Sequence, residues 1–251
     1  MFKDFYIDDN AYLRIEIDKL LFSTQSAYQK IEVYDTRSVL GRVLAIDNIV
    51  QVSENDYYNY HQGFIEPAMN SNKDIDTCLI IGGGDGILAN FALKNKISHV
   101  TQVEIDQAVI DVCKKFFSHV NENSFDKIDL HVGDGLHFVK ETNKKFDLVL
   151  CDLTDGCDES DNSFSIFTED FFKNVKSKMN EKSVILFQTD LPFWWDENRK
   201  NTLAKVSNYF KHSGSYSTPV HSYGGLSSYV WASDETIIKE HFFEGDLKKW
   251  K

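Results

Sequence analysis

The feature that most restricts this chain is Gly82-Gly83-Gly84-Asp85-Gly86, a glycine run entered from the apolar stretch Thr77 to Ile81 and left through ILANFALK, whose apolar residues fall at helical spacing. An apolar run, a glycine turn and a helix in succession open a βαβ unit, in which Gly82, Gly84 and Gly86 let the backbone turn sharply and approach a ligand at the helix N-terminus. The rhythm then continues. His99 to Glu104 reads as a second strand, Ala108 to Phe117 as its helix and Ile128 to Val132 as a third strand, followed by a strand at Phe146 to Cys151, a helix at Phe171 to Met179 and a strand at Ser183 to Gln188. Strands alternating with helices at this interval predict right-handed crossovers and an α/β domain over residues 73–251, built on a mostly parallel, doubly wound sheet.

Upstream, Tyr12 to Val52 holds short alternating segments (Leu13, Ile15 and Ile17; Ile31 and Val33; Val43, Leu44 and Ile46; Ile49 and Val50 after an Asp47-Asn48 turn), which predict a small antiparallel β-hairpin domain over residues 1–54. Residues 55–72, with DYYNYHQGF and Pro67, read as a helix or loop connecting the two.

A glycine turn by itself is read equally well as a tight corner with no ligand. Glu104 changes that reading, because it stands 22 residues after Gly82 at the end of the next strand, where a carboxylate accepts both hydroxyls of a ribose. Three more acids follow at strand ends: Asp134 in VGDGL, then Asp152 and Asp155 in LVLCDLTDG. Each alone is explained as a helix cap or turn residue. Together with Asp85 and Glu104 they converge on one cleft at the carboxyl ends of the strands. No Arg or Lys stands near the glycine run to meet a diphosphate, so a nucleoside with a positive charge is favoured over a dinucleotide. The whole chain, with 39 acidic against 27 basic residues and a net charge of -12, repels nucleic acid and attracts cations, although an acidic surface also serves solubility alone.

The cysteines Cys78, Cys113, Cys151 and Cys157 form no CxxC pair and are read as reduced and structural. The seven histidines other than His61 show no ligand spacing with carboxylates, so no metal site is expected. MFKDFYIDDN lacks the basic and apolar regions of a signal peptide and no window approaches a membrane span, which leads to the expectation of a cytoplasmic protein without membrane contact.

From about Tyr12 to Ser233 the sequence resembles the spermidine synthase family, the polyamine aminopropyltransferases. SAYQKIEV, GRVLAIDNIVQVSEND with Tyr60-His61 after it, LIIGGGDG, VEID, GDG, DLTD and IFTEDFF carry the likeness. The resemblance implies a Rossmann-like, class I methyltransferase-like fold, and an enzyme that moves the aminopropyl group of decarboxylated S-adenosylmethionine onto a polyamine acceptor. Putrescine, giving spermidine, is the first choice of acceptor, with cadaverine, agmatine and spermidine as alternatives. It further implies no tightly bound cofactor, methylthioadenosine as product, and a homodimer or homotetramer. By the same resemblance Gln29, Glu104, Asp134 and Gly135 hold the thioadenosine beside the loop of Gly82 and Gly84, and Asp85 meets the aminopropyl ammonium. Asp152 matches the general base, Asp155 and Tyr60 grip the amine, and Gln188 lies near the site.

Departures cluster around the amine pocket. The family's DSSDP is DLTDG here, with the acidic CDESDN behind it; its acid after Asp56 is Tyr57; its HE pair is His61-Gln62; and its late TYP segment is HSYGG, where Tyr223 is preferred to Ser222 as the family's tyrosine. His61 is read either as a substrate contact or as a packed histidine, with packing favoured. Phe193-Trp194-Trp195 is read as a cleft wall or a subunit interface, and Asp158, Glu159 and Asp161 as a gate or a solvated loop. Three rival readings stand beside the transferase: an amine N-methyltransferase using intact S-adenosylmethionine, a dinucleotide dehydrogenase, and a non-catalytic polyamine-binding homologue.

Overall fold

The computed structural model describes residues 1–153 and 167–239. The N-terminal part is a five-stranded antiparallel sheet in sequential order: β1 (Phe2–Asp8), β2 (Ala11–Gln25), β3 (Lys30–Thr36), β4 (Arg42–Ile46) and β5 (Ile49–Ser53). Asp47 and Asn48 both take positive φ in the turn between β4 and β5, as a two-residue hairpin with this twist requires. The Tyr6 N–H donates to the Asn48 carbonyl at 2.9 Å, which curls β1 back over that turn.

The segment read as a helix or loop is a helix, α1 (Tyr57–Ser71), with Pro67 inside it. Proline has no N–H to give the carbonyl four residues back, which belongs to Gly63. The Tyr216 hydroxyl donates to that carbonyl instead, at 2.9 Å. Tyr216→Phe is therefore expected to strand the Gly63 oxygen and to cost about 1–3 kcal/mol in urea unfolding. A change indistinguishable from zero would mean that water replaces the hydroxyl.

The large sheet contains β6 (Thr77–Gly82), β7 (His99–Glu104), β8 (Asp129–Val132), β9 (Phe146–Asp152), β10 (Met179–Gln188), β11 (His212–Val220) and β12 (Gly225–Ser233), in the order β11-β12-β10-β9-β6-β7-β8. The five strands from β8 to β10 are parallel, and β12 and β11 add antiparallel to β10. This is the doubly wound, mostly parallel arrangement expected from the strand–helix rhythm, with an antiparallel hairpin at one edge, and it fits the methyltransferase-like fold that the resemblance implies.

Helices cover both faces. Cys78 and Ile80 of β6 point to one side, where they join α1, α2 (Ile87–Lys94) and α3 (Gln107–Phe116); Leu79 and Ile81 point to the other, under α5 (Gly135–Glu141), α6 (Glu169–Ser177) and α7 (Asp196–Val206), while the single-turn α4 (Ser118–Asn121) follows α3. A strand buried on both faces explains why β6 is a continuous apolar run. The first of these cores continues into Ile31, Val33, Leu44, Ile46 and Val52 of the N-terminal sheet, which seats that sheet beside the glycine turn.

Candidate active site

The glycine turn closes on β9. Gly82 has φ +85°, and a Cβ there would fall 2.0 Å from the Asp152 carbonyl oxygen, so no other residue fits that corner. The Gly83 N–H donates to the same carbonyl at 2.9 Å, and the Gln102 side-chain amide donates to the carbonyls of Gly82 and Gly83 at 3.0 and 2.5 Å. A Cβ on Gly84 would meet Glu104 Oε2 at 2.9 Å, so glycine there leaves space in front of that carboxylate. The sheet and this turn thereby bring Asp85, Glu104 and Asp152 to one rim.

Above the rim lies a cavity of about 440 Å³, with a floor formed by the ends of β6, β7, β9 and β10 and a roof from the N-terminal sheet that includes Phe5, Ile7, Leu13, Ile46 and Val50. Its lining contains Asp47, Asp85, Glu104, Asp134, Asp152 and Asp190, and among the described residues no Lys, Arg or His. A cavity walled by apolar groups and studded with carboxylates strengthens the attraction for a cation, because the low-dielectric walls weaken screening by water.

Each acid is held in a particular way. Asp85 accepts the Ile87 N–H on Oδ1 at 2.7 Å. Glu104 accepts the Asp106 N–H on Oε1 at 2.8 Å; burial pushes its pKa up to about 7, against the hydrogen bond from the Asp106 backbone. Asp152 accepts a hydrogen bond from the Tyr60 hydroxyl. Burial, and then repulsion from Asp85, push Asp152 up to about 6, while His61 and Tyr60 pull it down. The Tyr60 phenol itself is raised well above its usual range by burial and by the charge of Asp152, so it remains a donor.

Gln29, Gly82, Gly84, Gly135, Tyr60, Gln188 and Tyr223 also line the cavity. Gln29 is steered by Asp106, which accepts from its amide at 3.1 Å and from the Ser26 hydroxyl at 2.6 Å. Asp134 caps α5 through the Leu136 N–H at 2.8 Å while it faces the cavity, so its cap role and its place in the site coexist. The Tyr223 ring packs edge-on to Tyr60 with centroids 5.6 Å apart, and its hydroxyl donates to the Gln51 carbonyl. Ser222 also reaches the lining, with its backbone N–H on Asp56.

Several expectations change. His61 does not line the cavity; it lies behind Asp85, with Nε2 3.2 Å from Asp85 Oδ2, because α1 turns the side chain inward. Tyr57 packs against His61 and Phe91 and is likewise absent from the lining. The aromatic cluster divides: Trp195 lines the cavity and donates to the Ile7 carbonyl at 3.0 Å, whereas Phe193 is 83% exposed and packs edge-on to Trp194. Asp155, Cys157, Asp158, Glu159 and Asp161 lie outside the described residues.

Comparison with known proteins decides the family. The family model described as the spermine/spermidine synthase domain matches residues 58–241, and that of the spermidine synthase tetramerisation domain matches residues 2–54. The chain belongs to the spermidine synthase family. A polyamine aminopropyltransferase of Pectobacterium carotovorum is 29% identical over 228 residues, covering 89% of this chain and 78% of that one. One from Buchnera aphidicola is 32% identical over 234 residues, covering 91% and 80%. A crystal structure of spermidine synthase in complex with the transition state analogue AdoDATO superimposes with a TM-score of 0.88 at 25% identity, covering 99% of this chain and 85% of that one. Spermidine synthase from Thermotoga maritima gives 0.85, also at 25% identity, with 99% and 84% covered.

Within this family fold, two acids of the lining escaped the sequence reading. Asp190 follows β10 with φ +61°; its carbonyl accepts from the Ser228 N–H and its carboxylate from Asn198 of α7. A non-glycine residue in that region is a signal only the backbone reveals. Asp47 looked like a turn residue and is one, accepting the Lys30 N–H at 2.8 Å, yet it also borders the cavity.

Proposed function

We propose that this protein transfers the aminopropyl group of decarboxylated S-adenosylmethionine to putrescine, forming spermidine and methylthioadenosine. The observation that carries this reading is the cavity lined by six carboxylates and, among its described residues, by no basic side chain. Both reactants are cations, and neither brings a phosphate or carboxylate that would need a base.

Thioadenosine fits between Glu104, for the ribose hydroxyls, and Gln29, Asp134 and Gly135. A ribose donating to Glu104 favours its ionised form, against the burial that raises its pKa. Asp85 then meets the aminopropyl ammonium. The acceptor amine lies beside Asp152, Tyr60, Gln188 and Tyr223, with Asp190 in reach of the same space.

A free alkyl ammonium has a pKa of about 10.4, so only roughly one molecule in a thousand is nucleophilic near neutral pH. Asp152, hydrogen-bonded to Tyr60 and therefore fixed in orientation, accepts the proton as the nitrogen attacks the carbon bound to the sulfonium. The C–N bond forms, the C–S bond breaks, and its electron pair leaves on sulfur as a neutral thioether. No anion develops that would need an oxyanion hole, so positioning of the two reactants supplies much of the acceleration.

Assembly as a homodimer or homotetramer through the N-terminal sheet, and a cytoplasmic location, complete the reading. No described helix is long and apolar enough to cross a membrane. The acceptor assignment is tested by offering putrescine, cadaverine, agmatine and spermidine together with a limiting amount of decarboxylated cofactor. Putrescine is expected to take most of the aminopropyl group; a preference for any of the other three would reassign the acceptor.

A further inference from the structure

His61 is 1% exposed, and both its ring nitrogens face atoms that only accept hydrogen bonds: Nδ1 lies 2.6 Å from the Tyr57 carbonyl oxygen and Nε2 lies 3.2 Å from Asp85 Oδ2. A neutral imidazole has one N–H and one bare lone pair, so either tautomer would turn a lone pair onto an oxygen. The imidazolium satisfies both sides. A proton shared in the pair belongs on the imidazole, because a free carboxyl has a pKa of about 3.9 and a free imidazole about 6.5.

The surroundings agree with a cation. The ring is stacked on Phe91 with centroids 6.1 Å apart and an interplanar angle of 24°. The titratable groups that face it are Asp85 from the glycine turn, Asp152 from β9, and Tyr57 and Tyr60 from its own helix; α2 contributes the uncharged Phe91. Burial works against the charge, but Asp85, Asp152 and the Tyr57 carbonyl outweigh it and raise the His61 pKa above the ordinary imidazole value. Among the described residues, His61 is also the positive charge that acts on Asp152.

We propose that His61 is an imidazolium at neutral pH and a positioning residue: it locks Asp85 in place from behind, and its charge keeps Asp152 in the basic form that accepts the amine proton. The second half rests on the proposed role of Asp152; the first rests on the two oxygens around the ring and on the order of carboxyl and imidazole pKa values. In this arrangement a cation outside the cavity faces two neighbouring carboxylates from behind, and among the described residues the lining carries no basic side chain.

Nitrogen NMR of histidine-labelled protein at about pH 7.5, one unit above the free imidazole, is expected to show both His61 ring nitrogens protonated. A neutral tautomer at that pH would overturn the proposal, and this readout needs no variant. His61→Gln keeps an N–H for Asp85 and removes the charge. The carboxyl carbon of Asp152 is then expected to titrate about one unit higher than in the wild type, as removal of a nearby opposite charge requires. The acid limb of kcat/KM should move with it. A variant that loses activity equally at every pH and leaves the Asp152 titration in place would show a packing role only and sink the electrostatic claim. Full activity in Asp152→Asn would instead remove the proposed base, and the two NMR readings would still decide the charge of His61 and its effect on the carboxylate.

Discussion

Asp152→Asn is expected to lower kcat by about 10²–10⁴, the range that a positioned general base contributes. Asparagine keeps an oxygen for the Tyr60 hydroxyl, so the local hydrogen bond survives, and the KM for the sulfonium cofactor should change only a few-fold. The pH profile separates proton acceptance from mere polarity. The folded Asp152 has its pKa raised to about 6 by burial and by Asp85, so its basic form is present above that pH and is lost as pH falls through it. In the wild type kcat/KM should therefore fall below about pH 6, since this ratio reports the free enzyme. In the variant that limb should vanish. A kcat within tenfold of wild type, or an unchanged limb, would show that another group takes the proton.

Asp85→Asn is expected to reduce the preference for the decarboxylated over the intact cofactor by roughly 10–100-fold, the equivalent of about 1.5–3 kcal/mol for a hydrogen bond to a charged group. The two compounds differ by a carboxylate next to the ammonium. In the proposed binding mode that carboxylate would approach Asp85, whose Oδ1 is held by the Ile87 N–H and whose Oδ2 is backed by His61, so neither oxygen can turn away. On the proposed reading, selection is partly a repulsion against the intact cofactor. Asparagine retains an acceptor for Ile87 and abolishes the repulsion. Calorimetry with both compounds measures the ratio, and an unchanged preference would place selectivity elsewhere in the cavity.

How much of this was legible in the sequence depended on how local each feature is. Gly82, Glu104, Asp134 and Asp152 stand at strand ends, where a short motif determines both the fold of its segment and the place its side chain reaches. The roof of the cavity was not legible. β1 is FKDFYID, whose acids hide the alternation, and Phe5 and Ile7 enter the site only through docking of one sheet beside the other. The edge hairpin of β11 and β12 is rich in serine and carries Pro219, a composition suited to an edge and therefore weak as a strand signal. Asp106 steers Gln29 from 77 residues away, a pairing that no spacing rule reports. His61 is the instructive case: its type and neighbourhood suggested either a substrate contact or packing, and only the two acceptors around its ring reveal a buried charge.

The central claim is aminopropyl transfer between two cations in this cavity, and product identification by mass spectrometry tests it most directly. The protein would be incubated with putrescine and either decarboxylated or intact S-adenosylmethionine. The expected result is methylthioadenosine together with putrescine heavier by one aminopropyl unit, formed from the decarboxylated cofactor alone. Methylated putrescine with adenosylhomocysteine, formed from the intact cofactor, would contradict the account and make the protein a methyltransferase.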